Sequence, residues 1–125
     1  MQLGHKDAKL DVRDCLVDAT TVLEVASILR AAKLLVTCDS GLMHLALAVG
    51  TPVLALFGPT DPSILVRGNA PLTVLTNGRP CQGCWNHSKD AVTEGVCPLG
   101  ISPCMGSLTI DTVLARAREL LGGGS

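Results

Sequence analysis

The sequence predicts an α/β fold: a Rossmann-like open parallel sheet with helices on both faces. Three observations carry that prediction. Apolar runs at 34–37, 53–57 and 72–75 have the length and continuity of strands buried on both sides. Segments with helical spacing separate the runs, as in βαβ units. Hydrophobic residues make up 47% of the chain and aromatics 2%, so the core must be aliphatic, which suits a parallel sheet covered by helices.

The elements follow in order. Residues 1–11 carry little pattern and are expected to form a flexible tail, and Cys15-Leu16-Val17 reads as a short strand. Thr21 and Glu24 have capping-box spacing, and Val22, Val25, Ala26 and Leu29 then share one helical face. That helix should end near Ala32, ahead of the strand at 34–37. A turn at 39–41 opens a helix at 42–49, which Gly50 stops and Pro52 prevents from continuing. A strand at 53–57 and a loop at 58–62 follow, with Asp61 placed to cap a short turn around 63–66. A third strand is expected at 72–75. Residues 76–107 are rich in Gly, Pro and Cys and show no period. Thr109 is placed to cap a last helix whose apolar face is Val113, Leu114, Ala117, Leu120 and Leu121. The domain is therefore expected to span 12–121, including the Cys-rich segment 76–107. Residues 122–125 read as a flexible linker.

Composition excludes some partners. The formal net charge is −1 and no Lys/Arg cluster is present, so neither nucleic acid nor an anionic membrane is an expected partner. The longest apolar stretch, 42–57, is interrupted by His44, Gly50, Thr51 and Pro52, so no integral membrane segment is expected. The first seven residues contain no apolar leader. The expected location is the cytoplasm, peripheral at the inner membrane if attached to it at all.

The turn at 39–41 is the place to look for a phosphorylated ligand. A strand, a tight turn with a small residue and a helix N-terminus present free N–H groups and the positive end of the helix dipole. In an open parallel sheet, ligands bind beyond the carboxyl ends of the strands. Gly41 allows close backbone approach, and Ser40 adds a hydroxyl donor. Asp39 repels phosphate, so its work would fall on sugar hydroxyls or on holding the loop. His44 lies one helical turn on and can donate to a phosphate or hydroxyl. A lone Asp-Ser-Gly is weak on its own: Asp39 could simply cap the helix, and His44 could be a satisfied core histidine.

Thr37-Cys38-Asp39-Ser40-Gly41-Leu42-Met43-His44-Leu45-Ala46-Leu47-Ala48, followed by Gly50-Thr51-Pro52-Val53-Leu54-Ala55-Leu56-Phe57-Gly58-Pro59-Thr60-Asp61-Pro62, resembles glycosyltransferase family 9, the lipopolysaccharide heptosyltransferase family. The resemblance extends over roughly residues 16–121. It implies a GT-B fold of two Rossmann-like lobes, with this chain as the C-terminal lobe that holds a nucleotide-diphosphate sugar such as ADP-heptose. It further implies that Asp39 contacts the donor sugar or its diphosphate neighbourhood, that Ser40 and Gly41 supply phosphate donors, and that His44 lines the same pocket. The 57–62 segment, Thr60 included, would shape the cleft floor, while Phe57 itself reads as core. The family commonly carries a polar residue where this chain has Cys38. The resemblance implies no catalytic residue in this chain, because the acceptor and the base would belong to an N-terminal lobe that this sequence does not match. That lobe, in the same enzyme or as a separate chain, is an expected partner. Transfer by the whole enzyme would proceed with inversion, and this chain alone is expected to bind donor without transferring sugar.

Cys81, Cys84, Cys97 and Cys104 form a C-x2-C-x12-C-x6-C pattern. Four thiolates at such spacing can close a structural zinc or iron site; two disulfides or free thiols are the alternatives. Part of the family looks similar in this segment, and the related autotransporter heptosyltransferases hold iron on such a cluster. No organic cofactor is expected. Cys15 and Cys38 read as buried small hydrophobes. His5, Arg67, Arg79, Trp85 and His87 are weaker candidates, with solvated or packing roles as the default. The competing reading is a non-catalytic, metal-stabilised interaction module derived from a glycosyltransferase lobe.

Overall fold

The structure is a computed structural model and describes residues 1–4, 12–16, 18–66, 68–84, 97 and 103–122. In chain order, the described elements are α1 (Val22–Ala31), β1 (Leu35–Cys38), α2 (Gly41–Ala48), β2 (Val53–Leu56), α3 (Pro62–Leu65), β3 (Leu72–Leu75), α4 (Pro103–Gly106) and α5 (Ile110–Leu120). The three strands form one parallel sheet in the order β1-β2-β3, with Leu35 opposite Val53 and Val53 opposite Leu72. The expected Rossmann-like α/β class is what the chain adopts.

Local chemistry sets the helix ends. Thr21 accepts from the Glu24 N–H at 3.3 Å, and the Glu24 carboxylate accepts from the Thr21 N–H at 2.7 Å. Asp61 accepts from the Ser63 N–H at 2.9 Å, and Thr109 from the Thr112 N–H at 3.2 Å. Each cap satisfies donors that the first helical turn leaves free. Gly50 adopts φ +84°, the left-handed conformation that closes α2, as its position required.

Alternation along the strands assigns the two faces of the sheet. Val53, Ala55 and the following Phe57 face α1 and α2, and join Leu29, Met43 and Ala46 in the main core. Phe57 and Met43 have no exposed surface. Thr51 is the buried polar residue here; its hydroxyl donates to the Leu29 carbonyl at 2.6 Å, tying the end of α1 to the entry of β2. Thr51→Val should therefore cost about 1–2 kcal/mol, because it removes a buried hydrogen bond at nearly constant volume. Urea denaturation would read this as a lowered midpoint with an unchanged slope.

The opposite face carries Val36 and Leu56, with Val113, Leu114 and Ala117 of α5 lining an apolar groove over them. Packing is looser there: Val36 is 46% exposed and Leu114 43%. Two details of the sequence reading change. Val22 is 71% exposed, so α1 packs through Val25 and Leu29 instead. Cys38 is exposed rather than buried, since it ends β1 on the looser face. At the N-terminus, the Gln2 N–H donates to the Asp14 carbonyl at 2.7 Å, and Gln2 and Cys15 form an isolated parallel bridge. Leu3 packs against the core. Residues 5–11 and Val17 lie outside the described residues.

Candidate functional site at the carboxyl end of the sheet

The parallel sheet delivers three connections to one edge: 39–40 after β1, 57–61 after β2 and 76–83 after β3. Cys38 pairs with Leu56, and Leu56 with Leu75, so these connections leave the sheet side by side, about 5 Å apart. Asp39, Ser40, Gly41 and Thr60 thus come to one end of the fold, and His44 lies on the first turn of α2 above them.

Ser40 is the N-cap of α2, with extended backbone at φ −162° and ψ 168°, yet its side chain caps nothing. Its hydroxyl lies 3.2 Å from that of Thr37, which donates to the Cys38 carbonyl at 3.0 Å. Helices α1, α3 and α5 all have side-chain caps; α2 does not, and it has no acidic residue in its first turn. The positive end of its dipole is left without a side-chain acceptor. A Cβ on Gly41 would meet nothing within 4 Å, so the space above this N-terminus is open. Asp39 is half-buried and has no hydrogen-bond partner among the described residues, so it does not cap the helix. His44 is exposed, which removes the alternative of a buried core histidine. Phe57 is core, as expected. Thr60 is half-buried and presents its backbone carbonyl to Gln82.

The cysteines converge at the same edge. Burial pushes the Cys84 thiol above its ordinary range, and the neighbouring Cys81, Cys104 and Cys97 thiols push it further. Cys81, Cys104 and Cys97 thus all act on the Cys84 thiol. They stand as free thiols, and among the described residues no three Cys, His, Asp or Glu side chains form a metal-holding group. The 81–84 knuckle and α4 close on the connection after β2. Gln82 donates to the Gly58 carbonyl at 2.6 Å and to the Thr60 carbonyl at 3.2 Å. A Cβ on Gly58 would come within 2.9 Å of Met105 and 3.0 Å of the Cys104 Sγ. Neither Gln82 nor Met105 was legible as a site residue, since no motif marks a glutamine inside a C-x2-C pair. His5, Arg67, Trp85 and His87 lie outside the described residues; the Arg79 N–H donates to the Asn77 side chain at 3.0 Å.

The model of the glycosyltransferase family 9 (heptosyltransferase) matches residues 9–92, well over half of the chain. Lipopolysaccharide heptosyltransferase 1 of Salmonella typhimurium is 48% identical over 42 residues, which is 34% of this chain and 13% of that protein. Lipopolysaccharide heptosyltransferase 2 of the same organism is 58% identical over 43 residues, 34% of this chain and 12% of that protein. Lipooligosaccharide heptosyltransferase 2 of Haemophilus influenzae is 45% identical over 47 residues, 38% of this chain and 14% of that protein. The matched stretch is thus about one seventh of these relatives or less. A crystal structure of a family 9 glycosyltransferase from Veillonella parvula superposes on 95% of this chain and 35% of its own, with a TM-score of 0.67 and 19% identity, which shows a shared fold. With the family model and these relatives agreeing, the chain belongs to glycosyltransferase family 9.

Proposed function

We propose that this chain is the donor-binding lobe of an inverting glycosyltransferase acting in lipopolysaccharide or related surface-glycan synthesis. Its ligand would be a nucleotide-diphosphate sugar of the ADP-heptose kind. The observation that carries this reading is the uncapped N-terminus of α2, open above Gly41, at the carboxyl edge of the sheet in a family 9 chain. In the proposed complex the diphosphate sits on the free N–H groups of α2, where the dipole stabilises it without a protein carboxylate in the first turn. Asp39 accepts hydrogen bonds from sugar hydroxyls, Ser40 and His44 donate, and Thr60 borders the pocket. The acceptor and the base that deprotonates it come from the other lobe, in the same enzyme or on a separate chain. This chain therefore binds and orients the leaving group and does not by itself transfer sugar. Among the described residues no helix is long and apolar enough to cross a membrane.

Calorimetric titration with ADP-, UDP- and GDP-sugars tests the proposal. Saturable binding of one of the three is the expected result. No binding by any of them at millimolar concentration would favour the competing reading, an interaction module that uses the exposed Val36 and Leu114 face.

We also propose that Cys81, Cys84, Cys97 and Cys104 hold a structural zinc or iron ion. Support comes from the soft donor set and its C-x2-C-x12-C-x6-C spacing. Bound there, the ion would supply cross-linking of a segment poor in core residues, and it would leave no open coordination position for substrate. Elemental analysis of the purified chain should give about one metal per chain, lost in Cys84→Ser. Absence of metal, with all four thiols reacting freely with an alkylating agent, would contradict this.

A further inference from the structure

We infer that Gln82 is a positioning residue: from the centre of the cysteine knuckle, its side-chain amide holds the 58–60 connection that walls the donor pocket. The inference rests on reading the carboxyl edge of the sheet as the donor site. It adds a link between that site and a cluster 20 or more residues away in sequence.

The geometry is specific. The Gln82 amide group has two N–H donors, and both are used within one short loop, on the Gly58 and Thr60 carbonyls. The Gly83 N–H approaches the same Gly58 carbonyl at 3.5 Å, and Gly83 is buried with φ +78°, a conformation that brings its backbone in close. From the other side, Cys104 and Met105 leave no room for a side chain on Gly58. Two of the four motif cysteines flank the residue that grips the loop, and a third packs on the loop itself. The 81–84 segment and Cys104 therefore bracket Gly58 from two sides. Beside the Gln82 amide and the long Gly83 N–H contact to Gly58, no hydrogen bond from outside the loop reaches those two carbonyls among the described residues, and Gln82 alone reaches Thr60.

The loop leaves the sheet beside the 39–40 connection, so its position sets one wall of the space above α2. A loop held before the donor arrives need not be ordered on binding, and that preorganisation appears as affinity. Among the described residues no hydrogen bond joins the Gln82 side chain to the α2 turn; it acts through the loop.

The test compares the wild-type protein with Gln82→Ala, with the isosteric Gln82→Glu, whose carboxylate cannot donate, and with Cys81→Ser/Cys84→Ser. The first readout, independent of any ligand, is amide hydrogen exchange at Gly58, Thr60 and Asp61. The second is the dissociation constant for ADP-glucose, ADP-heptose and UDP-glucose. Exchange in the loop should accelerate about tenfold or more in all three variants, with exchange across β2 unchanged. For whichever sugar nucleotide binds, affinity should fall about threefold to tenfold in both Gln82 variants, while metal content stays at the wild-type level. Unchanged loop exchange in Gln82→Ala and Gln82→Glu would overturn the inference. So would loosened exchange with full donor affinity, since the clamp would then have no bearing on the pocket. If wild-type protein binds none of the three, the donor reading fails, and the exchange experiment still decides whether Gln82 holds the loop.

Discussion

Replacing Phe57 by Ala should lower folding stability by about 3–5 kcal/mol. Phe57 is the only phenylalanine in the chain and has no exposed surface. It packs with Leu29, Met43, Ala46, Val53 and Ala55, so its ring joins α1 and α2 to the sheet. In a core that is otherwise aliphatic and close-packed, neighbours can fill only part of the space left behind. Domains of this size are typically stable by about 5–15 kcal/mol, so the variant would retain a small margin or none. Urea denaturation followed by circular dichroism reads the effect. A loss under about 1 kcal/mol would mean that the core does not depend on the ring.

The second large effect concerns binding. Asp39→Ala should weaken donor affinity by about 10–100-fold, because a hydrogen bond to a charged group contributes about 1.5–3 kcal/mol. The Asp39 carboxylate has no hydrogen-bond partner among the described residues and caps no helix, so its removal should leave the fold intact. Ser40→Ala should weaken binding less, since the Ser40 hydroxyl already lies within hydrogen-bond distance of Thr37. His44→Ala should fall between the two. Thermal unfolding within about 2 °C of wild type for each variant would separate lost binding from lost structure. Unchanged affinity in both Asp39→Ala and His44→Ala would remove the site assignment.

Much of the fold was legible because its determinants are local. The box formed by Thr21 and Glu24, the Asp61 cap on Ser63, the Thr109 cap and the Gly50 stop all depend on residues within four positions of one another. Strand β2 was legible because both of its faces are covered, which demands an unbroken apolar run. Partial coverage was harder to read. Val22 and Cys38 look like core residues by type, yet one lies on the outer side of α1 and the other on the looser face of the sheet. The turn at 39–41 was legible as an anion cradle from its pattern. That Ser40 turns toward Thr37, leaving α2 uncapped, was not, since serine before a helix ordinarily caps it. The grip of Gln82 on Gly58 joins polar groups 24 residues apart, and no period or spacing encodes such a contact.

The most direct test of the central claim is where a sugar nucleotide lands. Backbone amide resonances would be followed while the protein is titrated with ADP-heptose. The account predicts that shifts centre on Ser40 to Leu45, with a second group at Gly58 to Asp61, and that α5 stays silent. Saturable shifts centred elsewhere, such as the groove under α5, or no shifts at millimolar ligand, would contradict it.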